Sequence, residues 1–317
     1  MTISRIYDPE IEDFARTIPI IDSSDIKKTR DAVRDYRIHM QSKGFTRPSD
    51  PSIEEDEISI PGPPNAPNVK IRIYTPDNLQ RPAPAYINFH GGGFIFGDLD
   101  SEHARTLAIS KSCQAIAITV DYRLAPEHPY PAAINDCYAS LLWLVDNAKH
   151  IGIDTSRIVV GGGSAGGNLA ASVALMARDK HGPSICYQML IYPALDDQAN
   201  TQSMLDGEDT YVITSQNILD MWNYYLGHDR SNVSCYASPS RAPDLADLPP
   251  AYIMTCEHDP LRDEAITYAM RLMNAGVPVE LHNYPGTVHG FDYLIRCNIS
   301  KRAIHDEINM FKRAVEK

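Results

Sequence analysis

The feature that most restricts this chain is a rhythm that starts near residue 85. Short apolar runs rich in β-branched residues (AYINF, AIAITVDY, RIVVGGG, ICYQMLIY, AYIMTC and VELHNY) alternate with helix-like segments. Alternation at this spacing predicts an α/β fold, with a mostly parallel central sheet and helices on both faces. Two earlier extended runs, EISI and VKIRIY, flank the turn-rich PGPPNAPN and read as an antiparallel pair.

The rhythm breaks between Tyr192 and Pro249, where helix-like TSQNILDMWNYYLG precedes a proline-rich exit. This stretch reads as an insertion over the carboxyl edge of the sheet, where α/β proteins bind ligands. Residues 1 to 45 read as helices without a core of their own. Ser24 can cap a segment whose Ile26, Thr29, Val33, Tyr36 and Met40 fall at helical spacing, a stripe that must cover apolar surface elsewhere.

Composition narrows the function. Acidic residues outnumber basic ones by 41 to 29, and the net charge of −12 opposes binding to nucleic acid or anionic membrane. No run approaches the ~18 apolar residues of a membrane span, and MTISRIYDPEIEDFART shows no secretory pattern, so a cytoplasmic protein is expected. The six cysteines lack C-x-x-C spacing, which argues for reduced, mostly buried thiols over a zinc site or disulfides.

Four segments carry chemistry. Gly162-Gly163-Ser164-Ala165-Gly166 lies between a β-branched run and an alanine-rich helix, the context that a G-x-S-x-G elbow requires. Small residues at 162 and 166 let strand and helix approach, leaving Ser164 on a strained turn. Alone, the motif fits equally well a turn whose serine only caps the helix. A nucleophilic serine needs a base, a group to hold that base, and oxyanion donors.

HGGGF follows a predicted strand, so the N–H groups of Gly92 and Gly93 are candidate donors, joined by that of Ala165. Gly91 belongs to the same loop, and His90 is expected to fix the loop rather than transfer protons. A flexible hairpin is the plain alternative; a phosphate cradle is disfavoured because no G-K-S/T follows.

Asp259 stands just beyond a strand, although Asp before Pro260 is also a sound helix cap. Glu257, Asp263 and Glu264 are rival acids, the last two expected as surface charges. A metal cluster of Glu257, His258 and Asp259 is discounted, since no second ligand group accompanies it. Of eleven histidines, only His289 combines a strand-end loop, glycines at 286 and 290, and a place after Ser164 and Asp259. The order Ser, Asp, His is the one α/β hydrolases use.

Taken together, the chain resembles the hormone-sensitive-lipase-like esterases, bacterial family IV of the α/β hydrolases. The likeness runs from about Ala85 onward, through HGGGF, DYRLAPEHPYPAA, GGSAGG, DPLRDE and HGF. It implies a serine carboxylesterase acting on short or medium acyl esters, without cofactor or metal, under a helical cap. The implied division is an N-terminal cap part at 1–45, core at 46–195, cap insertion at 196–235 and core at 236–317. The family usually carries Asp or Thr before the nucleophile. Gly163 lacks that side chain's hydrogen bonds, which predicts a looser elbow.

The partner expected is a small ester, with a homodimer left open. A lactonase or amidase using the same triad, or a small-ligand receptor on the same fold, are the competing readings. Phe94, Phe96, Tyr211 and Trp222, with Tyr224 and Tyr225, are candidates to line the substrate pocket. For any single one of them, ordinary cap core is the simpler reading.

Overall fold

The computed structural model describes residues 5–18, 22–43 and 47–316; the boundary expected at residue 45 lies outside them. Among the described residues one sheet of eight strands forms, in the order β1-β2-β4-β3-β5-β6-β7-β8. The strands are β1 Ile53–Ile60, β2 Val69–Pro76, β3 Ala83–Phe89, β4 Ile116–Asp121, β5 Ile153–Gly163, β6 Tyr187–Ile191, β7 Ala251–His258 and β8 Val279–Val288. β1 and β2 pair antiparallel, β2 meets β4 antiparallel, and the remaining pairs are parallel. Every strand read from the sequence is present, and so is the antiparallel pair.

Period-two alternation splits the strand residues between two cores. Ile87, Phe89, Ile118 and Val160 face one apolar cluster, which α4 (Ala132–Ile151), α5 (Ala165–Asp179) and α8 (Arg262–Asn274) complete. Tyr86, Ala117, Val159 and Met189 face the other, closed by α3 (His103–Cys113) and α9 (Asn298–Val315). α5 is buried continuously from Ala165 to Ala177, which accounts for its small residues: it lies flush on the sheet.

The N-terminal segment is not one appendage. α1 (Pro9–Ala15) buries Ile11 and Ala15 in the second core, and the Asp8 N–H donates to the Gly286 carbonyl in β8. α2 (Ile26–Ser42) behaves as expected, with Thr29 buried and Val33, Tyr36 and Met40 half-buried. Its cap is Asp25, not Ser24. The Asp25 carboxylate, directly before the first helical residue, accepts the N–H groups of Lys27 and Lys28, while the Ser24 hydroxyl turns back to Asp22.

The inserted stretch holds the short α6 (Gln202–Leu205) and α7 (Ser215–Leu226), the latter opened by a capping box between Thr214 and Asn217. α7 joins the approach to α2: Ser23 donates to Asp220 at 2.6 Å, and the Tyr224 hydroxyl donates to the Ser24 carbonyl at 2.9 Å. Among the described residues no disulfide joins the six cysteines, and only Cys137 and Cys256 are buried; the other four are half-buried. No helix among the described residues is long and apolar enough to cross a membrane.

Candidate active site

Sheet topology collects the four chemical segments. From β3 the chain goes to β4 on one side, then crosses back to β5 on the other, so the carboxyl ends of β3 and β5 flank a switch point. Phe89 pairs in register with Gly162, and Gly163 with Ile191. The loop from His90 and the turn at Ser164 therefore leave the same edge of the sheet. β7 and β8 deliver Asp259 and His289 to that edge, with His258 opposite Val288.

Ser164 has φ 58° and ψ −119°, a conformation that a non-glycine residue holds only under constraint. The constraint is close packing. A Cβ on Gly162 would lie 2.1 Å from the Phe89 carbonyl oxygen, and one on Gly166 would lie 1.9 Å from the same atom. Only glycine fits, so β5, α5 and β3 lock the turn. The Ser164 side chain makes no capping hydrogen bond to α5, which removes the simple cap as its purpose.

Beside it, Gly92 and Gly93 both take positive φ, and the Gly92 carbonyl accepts the N–H groups of Ile95 and Phe96. Among the described residues, the N–H groups of Gly92, Gly93 and Ala165 donate to no protein acceptor. That of Ala165 is also one of the free donors at the positive end of α5. Three donors left open at the switch point suit a developing oxyanion.

His90 supports this loop. Its ring is buried and stacks on Tyr122 at 4.1 Å, and its Nδ1–H donates to the Gly91 carbonyl at 2.7 Å. Burial pushes His90 down to about 4, so it is neutral at physiological pH. The Tyr122 hydroxyl donates to the His90 carbonyl at 2.7 Å, and the Ala125 N–H donates to the Phe94 carbonyl. The DYRLAPEHPYPAA segment thus braces the loop from behind.

His289 Nδ1–H donates to Asp259 Oδ2 at 2.7 Å, with 9% of His289 and 2% of Asp259 exposed. The other Asp259 oxygen accepts the Leu261 N–H at 2.9 Å. Asp259 therefore orders its loop and holds the histidine at once. With Nδ1 protonated, Nε2 is the ring's acceptor. Among the described residues no hydrogen bond joins Ser164 to His289, a contact that in free enzymes is often long and tightens around substrate. Tyr192 packs beside both segments: its ring is 4.6 Å from His289, and its Cε2 is 3.1 Å from the Cβ position of Gly163.

A family model described as alpha/beta hydrolase fold matches residues 86–293. The chain belongs to this family. Within the α/β hydrolases it is a hormone-sensitive-lipase-like carboxylic ester hydrolase. It is 42% identical over 248 residues to Esterase LipI of Mycobacterium tuberculosis, covering 77% of each chain. To Carboxylesterase NlhH of the same organism it is 41% identical over 243 residues, or 75% of each. The solved structure of a bacterial heroin esterase superposes with a TM-score of 0.94 at 40% identity, covering 98% of this chain and 99% of that one.

The rival acids of this hydrolase have other work. Glu257 accepts the Gly286 N–H at 2.6 Å, steadying the strand before His289, and Asp263 accepts the Ser203 N–H at 2.8 Å. Glu264 is not a surface charge: it is 2% exposed and accepts the Leu195 and Asp196 N–H groups. Its partners lie some seventy residues upstream, beyond the reach of helical phase.

Phe94 and Trp222 are fully buried, with Phe94 stacked on Tyr225 at 3.8 Å, so they form core and not the wall of an open pocket. Tyr211 is half-buried beside Tyr7 and Arg16, and Phe96 is half-buried next to the oxyanion loop. Sequence reading missed Met221, whose Cγ is 3.1 Å from the Cβ position of Gly93. It also missed Glu102, Arg105 and Asp292, which sit beneath the elbow. The signal available was a charged pair, Glu102 and Arg105, three residues apart on a helix that opens beside the HGGGF loop.

Proposed function

We propose that this hydrolase cleaves short to medium acyl esters through an acyl-enzyme on Ser164, with His289 as general base and Asp259 holding it. The buried 2.7 Å bond from His289 Nδ1–H to Asp259 Oδ2 carries the reading. It selects the tautomer whose Nε2 can take the Ser164 proton. As the hydroxyl attacks the carbonyl, the N–H groups of Gly92, Gly93 and Ala165 receive the oxyanion, and His289 then protonates the departing alcohol. Water, deprotonated by the same histidine, releases the acid.

Part of the same proposal is that α2 and the stretch bearing α7 form a cap that sets acyl size. Arg30 supports it, donating from Nε to the Ile95 carbonyl at 2.7 Å and from Nη2 to the Ala125 carbonyl at 2.9 Å. This ties α2 to the oxyanion loop and to its brace.

Mass spectrometry after treatment with a serine-directed phosphonate, with rates on p-nitrophenyl esters of graded length, tests both parts. The expected adduct lies on Ser164 alone, Ser164→Ala lowers kcat by about 10⁶-fold, and rates peak at roughly two to six acyl carbons. Recovery of the adduct on another serine, or an active Ser164→Ala variant, defeats the mechanism. A rate that climbs without limit with chain length defeats the cap.

A further inference from the structure

Beneath the nucleophile turn lies a buried charge cluster that the mechanism above does not use. The Glu102 side chain is 0% exposed, and it is the residue from which α3 begins. Its Oε1 accepts the Gly91 N–H at 3.3 Å and the Tyr293 hydroxyl at 3.1 Å, and its Oε2 pairs with Arg105. Arg105, 7% exposed, also pairs with Asp292, donates to the Tyr192 hydroxyl at 3.0 Å and reaches Glu307 at 3.1 Å. Tyr192 in turn donates to Asp292 at 2.9 Å and lays its ring against His289. One connected network thus touches the oxyanion loop, the elbow and the base.

The elbow's own contact with it is an empty Cβ position. A Cβ on Gly163 would stand 2.8 Å from Glu102 Oε1 and 3.1 Å from Arg105 Nη1. A Cβ on Gly91 would stand 3.0 Å from the Gly163 carbonyl oxygen and 3.6 Å from Glu102 Oε1. Loop, elbow and carboxylate therefore meet at one point, and the space beside residue 163 is filled from α3.

We propose that Glu102 is a positioning residue for the reaction, its carboxylate clamping the oxyanion loop to the elbow in the space that Gly163 leaves free. Glu102 and Gly163 are then a complementary pair, and a change in one alters what the other tolerates. The carboxylate touches no reacting atom; it acts through the Gly91 peptide, which sets the direction of the next two N–H groups. The proposal rests on the esterase reading above. A loose clamp misplaces oxyanion donors, which work mainly in the transition state, so the loss falls on kcat and spares KM.

Steady-state kinetics on p-nitrophenyl acetate test this, with melting temperature and phosphonate labelling measured on each variant. Glu102→Ala is expected to lower kcat by about 10- to 100-fold with KM within about twofold. Glu102→Gln, which keeps an acceptor for Gly91 and Tyr293, recovers most of that loss. Gly163→Asp is expected to cost at least about tenfold more in the wild-type background than in the Glu102→Ala background, where its carboxylate enters the vacated space beside Arg105.

A Glu102→Ala protein with unchanged kcat, or a Gly163→Asp penalty equal in both backgrounds, overturns the proposal. Should Glu102→Ala fail to fold, Gly163→Ala decides from the other side. Its Cβ must displace the carboxylate, and an unchanged kcat again overturns the clamp. A wild-type protein that neither turns over the ester nor takes the phosphonate overturns the esterase reading and the clamp with it; an active wild type indifferent to residue 102 overturns the clamp alone.

Discussion

At the carboxyl edge of the sheet the backbone is held by close packing that admits only glycine, whereas the helices lying over that edge are fastened mostly by side chains. Gly162, Gly166 and Gly97 admit no Cβ: the nearest atoms would be 2.1, 1.9 and 2.3 Å away, and each belongs to the oxyanion loop or the strand before it. α2 and α7 instead hang on side-chain hydrogen bonds from Arg30, Arg37, Ser23 and Tyr224. Backbone fixed by sterics has one solution; side chains on a surface have many. The first region is thus built to keep a geometry. The second can drift in sequence and, on the proposed cap role, change what fits.

The sharpest break of that contrast would be an edge residue whose loss is mild. Asp259→Asn should lower kcat by about 10⁴-fold through the wrong histidine tautomer, with Glu257→Gln far milder because Glu257 serves the Gly286 peptide. If kinetics reverse that order, Asp259 is only a loop anchor. Next comes Gly162→Ala, which adds one carbon against the Phe89 carbonyl. By displacing Phe89 or the elbow it should cost about 10²-fold in kcat, and an unaffected rate would show the turn to be forgiving.

In the overlying helices, effects should be smaller and of another kind. Met221→Ala should shift the preferred p-nitrophenyl ester toward longer acyl chains by a few carbons, while kcat on the best ester stays within about tenfold. Trp222→Ala should instead cost about 3–5 kcal/mol in unfolding free energy, because the ring is core. A chain-length profile that moves with Trp222 and ignores Met221 would exchange their roles.

The smallest effect concerns Glu307, which burial pushes up to about 8 beside Arg105, Asp292 and Glu102. Folded, this carboxyl keeps its proton up to about 8; unfolded, it loses it near the ordinary ~4.3. Between those values the unfolded chain binds fewer protons, so stability falls as pH rises through the window. Glu307→Gln should flatten the decline of melting temperature from pH 5 to 8. Parallel declines would show that Glu307 is ionised in the folded protein.

The same contrast explains what could be read beforehand. Strands, elbow, oxyanion loop and the order of Ser164, Asp259 and His289 were legible because local spacing and glycine placement determine them. The burial of Glu264, the network around Arg105 and the seat of Trp222 depend on partners distant in sequence, such as Leu195 for Glu264 and Asp292 for Arg105. Asp25 as the α2 cap was a nearer miss, decided by which residue directly precedes the helix. The stripe on α2 showed that something had to be covered, but not that Arg30 would choose the place.

Among the described residues, β8, which leads to His289, stands at an edge of the sheet and pairs only with β7, while β3 and β5, behind the HGGGF loop and Ser164, lie inside it. Synthesis runs in the same order, from the loop at 90 through the serine at 164 to the histidine at 289. On the proposed roles, a nascent chain therefore carries its nucleophile and its anion donors more than a hundred residues before its base. The proposed mechanism thus makes the growing chain inert until the segment after the last described strand has been made.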